Sequence, residues 1–81
     1  MQLPSISRFL LERGFSLEGE NPDVYLLPRI MVFVYSRFAF ASIDGDTPIE
    51  NRVVSGPIRN AGEIANFCNQ LAAEIGRISG E

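Results

Sequence analysis

The sequence predicts an α+β fold in two layers: a helix, a three-stranded antiparallel meander and a second helix (αβββα), with both helices on one sheet face. Three observations carry that expectation. Residues 24–43 (VYLLPRIMVFVYSRFAFASI) are rich in Val, Ile, Phe and Tyr, with Arg29 and Arg37 as their only charges, a composition that favours sheet over helix. Asp44-Gly45 beyond them is suited to a tight reversal. After Asn60, apolar residues recur at spacings of three and four, the period of a helix with one buried face.

Residues 1–14 read as a short helix, since Pro4 suits a first turn and Gly14 is placed to close the last. Leu3, Ile6, Phe9, Leu10 and Arg13 fall on one side of it, a stripe that points to core packing. Residues 15–20 add a little extended chain, and Asn21-Pro22-Asp23 has the chemistry of a turn. Glu18, Glu20 and Asp23 lie together there as a solvated acidic loop.

The central stretch has the length of a bilayer crossing. It is not read as one, because Pro28, Arg29 and Arg37 interrupt it and its longest unbroken apolar run, residues 30–35, is far too short. It reads instead as a hairpin. With Ser36 and Arg37 as a two-residue reversal, Tyr35 faces Phe38, Val34 faces Ala39, Phe33 faces Phe40, Val32 faces Ala41 and Met31 faces Ser42. Side chains alternate between faces, so one face carries Met31, Phe33, Tyr35, Phe38 and Phe40, and the other Ile30, Val32, Val34, Ala39, Ala41 and Ile43. Both are apolar. A three-residue turn would shift the second strand by one and mix the two sets.

A third strand is expected at about residues 49–55, with Pro48 at its start or on an edge because proline cannot donate a ladder hydrogen bond. Glu50 and Arg52 share one of its faces. Asp44 and Asp46 do not make a calcium loop, since the spaced ligands and the closing glutamate are missing. Ser55-Gly56-Pro57 ends the strand. In the last helix Asn60 is a good N-cap and Glu63 can reach back in capping-box fashion. Ile64, Phe67, Cys68, Leu71, Ala72, Ile75 and Ile78 form its apolar stripe, which makes Cys68 a small buried hydrophobe rather than a nucleophile.

The 81 residues form one domain, residues 1–81, of a size that leaves little spare stability. One cysteine and no histidine exclude an internal disulfide and a Cys/His zinc site. A cytoplasmic setting is expected, with no secretory signal. All seven basic residues are arginine, against ten acidic residues, for a net charge of −3. Such a chain lacks the basic stripe of a nucleic-acid binder. Phe38-Ala39-Phe40 resembles the centre of the aromatic strand of RNA-recognition motifs, but Ser36-Arg37 stands for the basic-Gly start and Ile43 for the final aromatic. Direct nucleic-acid binding is therefore not expected.

No activated cysteine, glycine-rich phosphate loop or nucleophile elbow is present, and the acidic pairs sit in loops expected to be hydrated. The chain is accordingly read as non-enzymatic, without catalytic residue, cofactor or metal. Function is expected to lie in association. Two helices shield one sheet face, and each large apolar side chain left on the other forgoes about 1.5–3 kcal/mol. Either the aromatic or the aliphatic set is then left pointing away, and a protein partner or a second copy in a homodimer is expected to cover it, with Met31, Phe33, Tyr35, Phe38 and Phe40 as the candidate face. The acidic groups Glu18, Glu20, Asp23, Asp44, Asp46 and Glu50 would meet a basic surface of a partner. In size, acidity and lack of motifs the chain resembles the small inhibitors that phages and mobile elements direct at host defences, anti-CRISPR proteins among them. That resemblance implies an inhibitor that presents carboxylates where a nucleic-acid-binding target expects phosphates. The alternative is a subunit or chaperone-like adaptor of a larger bacterial assembly, accepting another chain on the sheet or its edge.

Overall fold

The computed structural model describes residues 6–20, 22–44 and 51–79. Within them the elements are α1 (Ile6–Glu12), β1 (Ser16–Gly19), β2 (Asp23–Leu27), β3 (Ile30–Val34), β4 (Phe38–Ile43), β5 (Arg52–Pro57) and α2 (Ala61–Ser79). All strands join one antiparallel sheet in the order β1-β2-β3-β4-β5. The fold is α+β, but its order among the described residues is αβββββα, and the three-stranded meander is corrected to five strands.

The two additional strands lie between α1 and the central hairpin. β2 pairs with β3 from Asp23↔Val34 to Leu27↔Ile30, so Pro28-Arg29 is itself a two-residue reversal. Pro28 in its first position and a φ of 74° at Arg29 mark a type II turn, whose second position normally takes Gly or Asn. Left-handed backbone costs an ordinary residue about 1–2 kcal/mol. The Asp44 N–H donates to the Arg29 carbonyl (2.8 Å) and Arg29 Nε donates to the Asp44 carbonyl (3.1 Å), which holds the strained turn in place. β1 pairs with β2 through a register shift between Leu17 and Gly19. Helix placement changes with the strand count, since α1 runs into edge strand β1 rather than into the hairpin.

Ser36-Arg37 reverses the chain as expected, with Ile30↔Ile43, Met31↔Ser42, Val32↔Ala41, Phe33↔Phe40 and Val34↔Ala39 in register. The Tyr35 N–H donates to the Phe38 carbonyl at 2.7 Å. Neither turn residue has a positive φ, so this reversal does without the primed turn that such hairpins favour. β5 pairs with β4 from Ile43↔Arg52 to Phe38↔Pro57. It therefore runs through Ser55-Gly56-Pro57 instead of ending there, an edge position at which proline is tolerated. Pro48, Ile49 and the Asp44-Gly45 reversal fall wholly or partly outside the described residues.

α1 begins within the expected 1–14 segment, of which Met1, Leu3 and Pro4 lie outside the described residues. Its end is a Schellman motif: the Phe15 N–H donates to the Leu10 carbonyl and the Gly14 N–H to the Leu11 carbonyl, both at 3.1 Å. Gly14 adopts a φ of 93°, which only glycine takes without strain. At the start of α2, Asn60 Oδ1 accepts from the Glu63 N–H at 2.9 Å. Glu63 reaches back one residue further than a capping box, accepting from the Arg59 N–H at 2.8 Å and pairing with its guanidinium at 2.7 Å.

Between the helices and the sheet lies one core of Ile6, Leu10, Phe15, Tyr25, Ile30, Val32, Ala39, Ala41, Ile43, Val54, Ile58, Ile64, Phe67 and Leu71. α1 crosses the β2 side, where Tyr25 donates its hydroxyl hydrogen bond to Ser7 Oγ at 2.7 Å. α2 lies against β5 and β4. There Glu74 forms an ion pair with Arg52 of β5 (3.3 Å) and accepts a hydrogen bond from Arg77 (2.9 Å).

Candidate interaction surface

Register assigns every strand position to a face. The row Tyr25, Val32, Ala41, Val54 and the row Leu27, Ile30, Ile43, Arg52 point to the helices. Between them, the rows Val24, Phe33, Phe40, Ser55 and Leu26, Met31, Ser42, Val53 point away, continued by Tyr35, Phe38 and Pro57 beyond the hairpin turn. The aliphatic and small set is thus inside, and the aromatic set Met31, Phe33, Tyr35, Phe38 and Phe40 is outside. Both helices contribute to the core on the other side. Met31 is 40 % exposed, Phe38 43 %, Tyr35 47 % and Val53 59 %.

The outer rings pack on one another rather than on another layer. Phe33 and Phe40 sit with centroids 6.0 Å apart and Tyr35 and Phe38 6.4 Å apart, within the range for tilted aromatic pairs. With Ser36 and Arg37 they line a shallow depression of about 630 Å³ at the hairpin-turn end. A second depression of about 360 Å³, at the opposite end, is lined by Leu26, Leu27, Arg29, Ile30, Met31, Ser42 and Asp44.

The outer rows of β2 to β5 hold no charged residue. Most arginines pair within the chain at its surface: Arg8 pairs with Glu12, Arg13 stacks over the Phe9 ring at 3.8 Å, Arg29 braces its turn, Arg52 and Arg77 hold Glu74, and Arg59 holds Glu63. Arg37 stands at the rim of the aromatic depression.

The acidic candidates do not form one patch among the described residues. Glu18, Glu20 and Asp23 lie where β1 passes into β2, at the hairpin-turn end of the sheet, with Glu18 and Glu20 exposed and Asp23 half-buried. Asp44 lies at the other end, beside the Pro28-Arg29 turn. Asp46 and Glu50 fall outside the described residues.

Other chemistry has little to work with. No polar or charged residue is buried among the described residues, and none of them form a group of three metal-ligating side chains. Cys68 is half-buried against the core, and burial pushes its thiol above its ordinary range, with Arg13 pulling the other way. That thiol stays protonated at neutral pH. No described helix is long and apolar enough to cross a membrane. No protein-family model matches this chain, and no curated protein or solved structure matches it.

Proposed function

We propose that this chain is a non-enzymatic protein-binding module whose docking surface is the outer face of its sheet. The observation that carries the reading is the outward apolar set: Met31, Tyr35, Phe38 and Val53 all stand between 40 % and 59 % exposed on one continuous, charge-free surface. Isolated apolar residues at a surface are ordinary, whereas a contiguous apolar face rimmed by polar groups marks an association site. Arg37 at the rim adds a residue type that interfaces favour.

An inhibitor that occludes its target's surface fits within this reading, with Glu18, Glu20 and Asp23 as a charged fringe at one end. Because Asp44 lies at the opposite end, the apolar face rather than a single acidic patch leads recognition. A photo-reactive phenylalanine analogue tests this when placed at Phe38 and, as a control, at the exposed helix residue Leu11. Protein adducts from position 38 and none from position 11 are the expected result. Adducts confined to a probe at Glu18, with none at position 38, would overturn it.

A further inference from the structure

We infer that the occupant of the outer face is the same face of a second copy, giving a four-layer helix–sheet–sheet–helix dimer. This rests on the reading of that face as the docking surface, and three observations select the occupant. The first is size. Five strands spaced at about 4.8 Å, four to six residues long at about 3.4 Å per residue, present a footprint of roughly 24 by 18 Å. Two corrugated faces of that size bury on the order of 1,000 Å² together, where stable biological interfaces begin.

Charge is the second. The chain carries a net charge of −3, yet none of it lies on the outer rows of β2 to β5. Two copies that meet through those rows, with the exposed Glu18 of β1 at their border, therefore close on each other without burying an unpaired charge, the costliest fault of an interface. The third is shape. The outer face is tall at the hairpin-turn end, where Phe33, Phe40, Tyr35 and Phe38 stand, and low at the other, where Ser42 and Met31 border the second depression.

A face-to-face dimer has its two-fold axis in the interface plane and matches each patch with its own mate. An axis along the strands would set tall rows on tall rows and bring the two Arg37 turns to the same end. An axis across the strands does the reverse. It lays the aromatic end of each copy over the low end of its mate and directs Arg37 toward the mate's Asp44. The sheets then sit about 10 Å apart, as packed sheets do, with Arg37 and Asp44 closing both ends. The axis across the strands is the one we assign.

Sedimentation velocity over a concentration series tests the assignment on the full chain, with circular dichroism to confirm that each variant is folded. The expected wild-type mass is twice the 9.0 kDa of the chain. Val53→Glu, at the most exposed large apolar residue of the outer face, should yield a folded monomer and weaken association at least tenfold, while Leu11→Glu on α1 leaves the dimer intact. Arg37→Asp and Asp44→Arg should each weaken the dimer, and the double charge swap should restore it. A wild-type monomer at every concentration overturns the second copy as occupant, and the docking-surface reading still stands if the probe at Phe38 captures another protein. A dimer that survives both Val53→Glu and Met31→Glu forms through another surface and overturns the outer face as the dimer interface, and the Phe38 probe then decides the docking-surface reading separately.

Discussion

The two faces of the sheet are drawn from the same strands and are both apolar, yet they are built differently. The helix-facing rows use β-branched and small residues, Val32, Ala39, Ala41 and Ile43, each fully buried. The outer rows use Met31, Phe33, Tyr35, Phe38 and Phe40, which rest on one another and remain partly in water. The inner rows meet α2 over β5 and β4, while the large outer rings supply the area that the proposed partner would cover. Hydrophobicity alone does not separate a core from an interface. Side-chain size and the presence of a covering layer do.

That contrast breaks most readily at single positions. Leu71→Ala, emptying a fully buried site under the sheet, should cost about 2–5 kcal/mol of stability, measured by urea unfolding. Phe38→Ala on the outer face should cost the dilute monomer less than about 1 kcal/mol, as a surface change does. Neighbouring residues sharpen the same point. Ala41→Leu should destabilise by about 1–3 kcal/mol through overpacking, whereas Ser42→Leu, one residue on and facing outward, should leave monomer stability nearly unchanged and strengthen association.

Effects away from both faces are smaller. Asn60→Ala removes the acceptor for the Glu63 N–H and should cost about 0.5–2 kcal/mol, typically near the middle of that range. Smallest is the pH effect of Glu63. The hydrogen bond from the Arg59 guanidinium, then that from the Arg59 N–H, hold its carboxyl below its ordinary value of 4.5. A depressed carboxylate stabilises the fold above that ordinary value and loses its contribution as pH falls through the lowered one. Thermal melts from neutral to acid pH should therefore show a shallower acid decline for Glu63→Gln than for wild type.

The central hairpin is legible in the sequence because residues 30–35 are apolar at every position and Ser36-Arg37 interrupts the run, whereas its register rests on a two-residue turn that the sequence leaves open and the structure supplies. α2 is legible for a similar reason, with Asn60 and the stripe from Ile64 to Leu71 agreeing. β2 is hidden because its turn places Arg29 at a positive φ, where a reader looks for Gly or Asn, so Pro28-Arg29 does not announce a reversal. β1 is hidden because it is short and bulged, and its pattern is set by pairing with β2 rather than by its own alternation. Which face the helices choose is not written in the strands at all. It emerges from α1 meeting Tyr25 through Ser7 and from α2 fitting over Ala39 and Ala41. The acidic candidates show the same limit, since the chain topology, not their sequence positions alone, sets Glu18 to Asp23 and Asp44 at opposite ends of the sheet.

The central claim is that the outer face serves association while the inner face serves folding. It is tested most directly by urea unfolding of wild type and Phe38→Ser over a wide range of protein concentration. The wild-type midpoint should rise with concentration, and the Phe38→Ser midpoint should stay level and meet the wild-type value at high dilution. A Phe38→Ser midpoint lowered by the same amount at every concentration would contradict the claim, because it would make the outer rings part of the monomer's own stability.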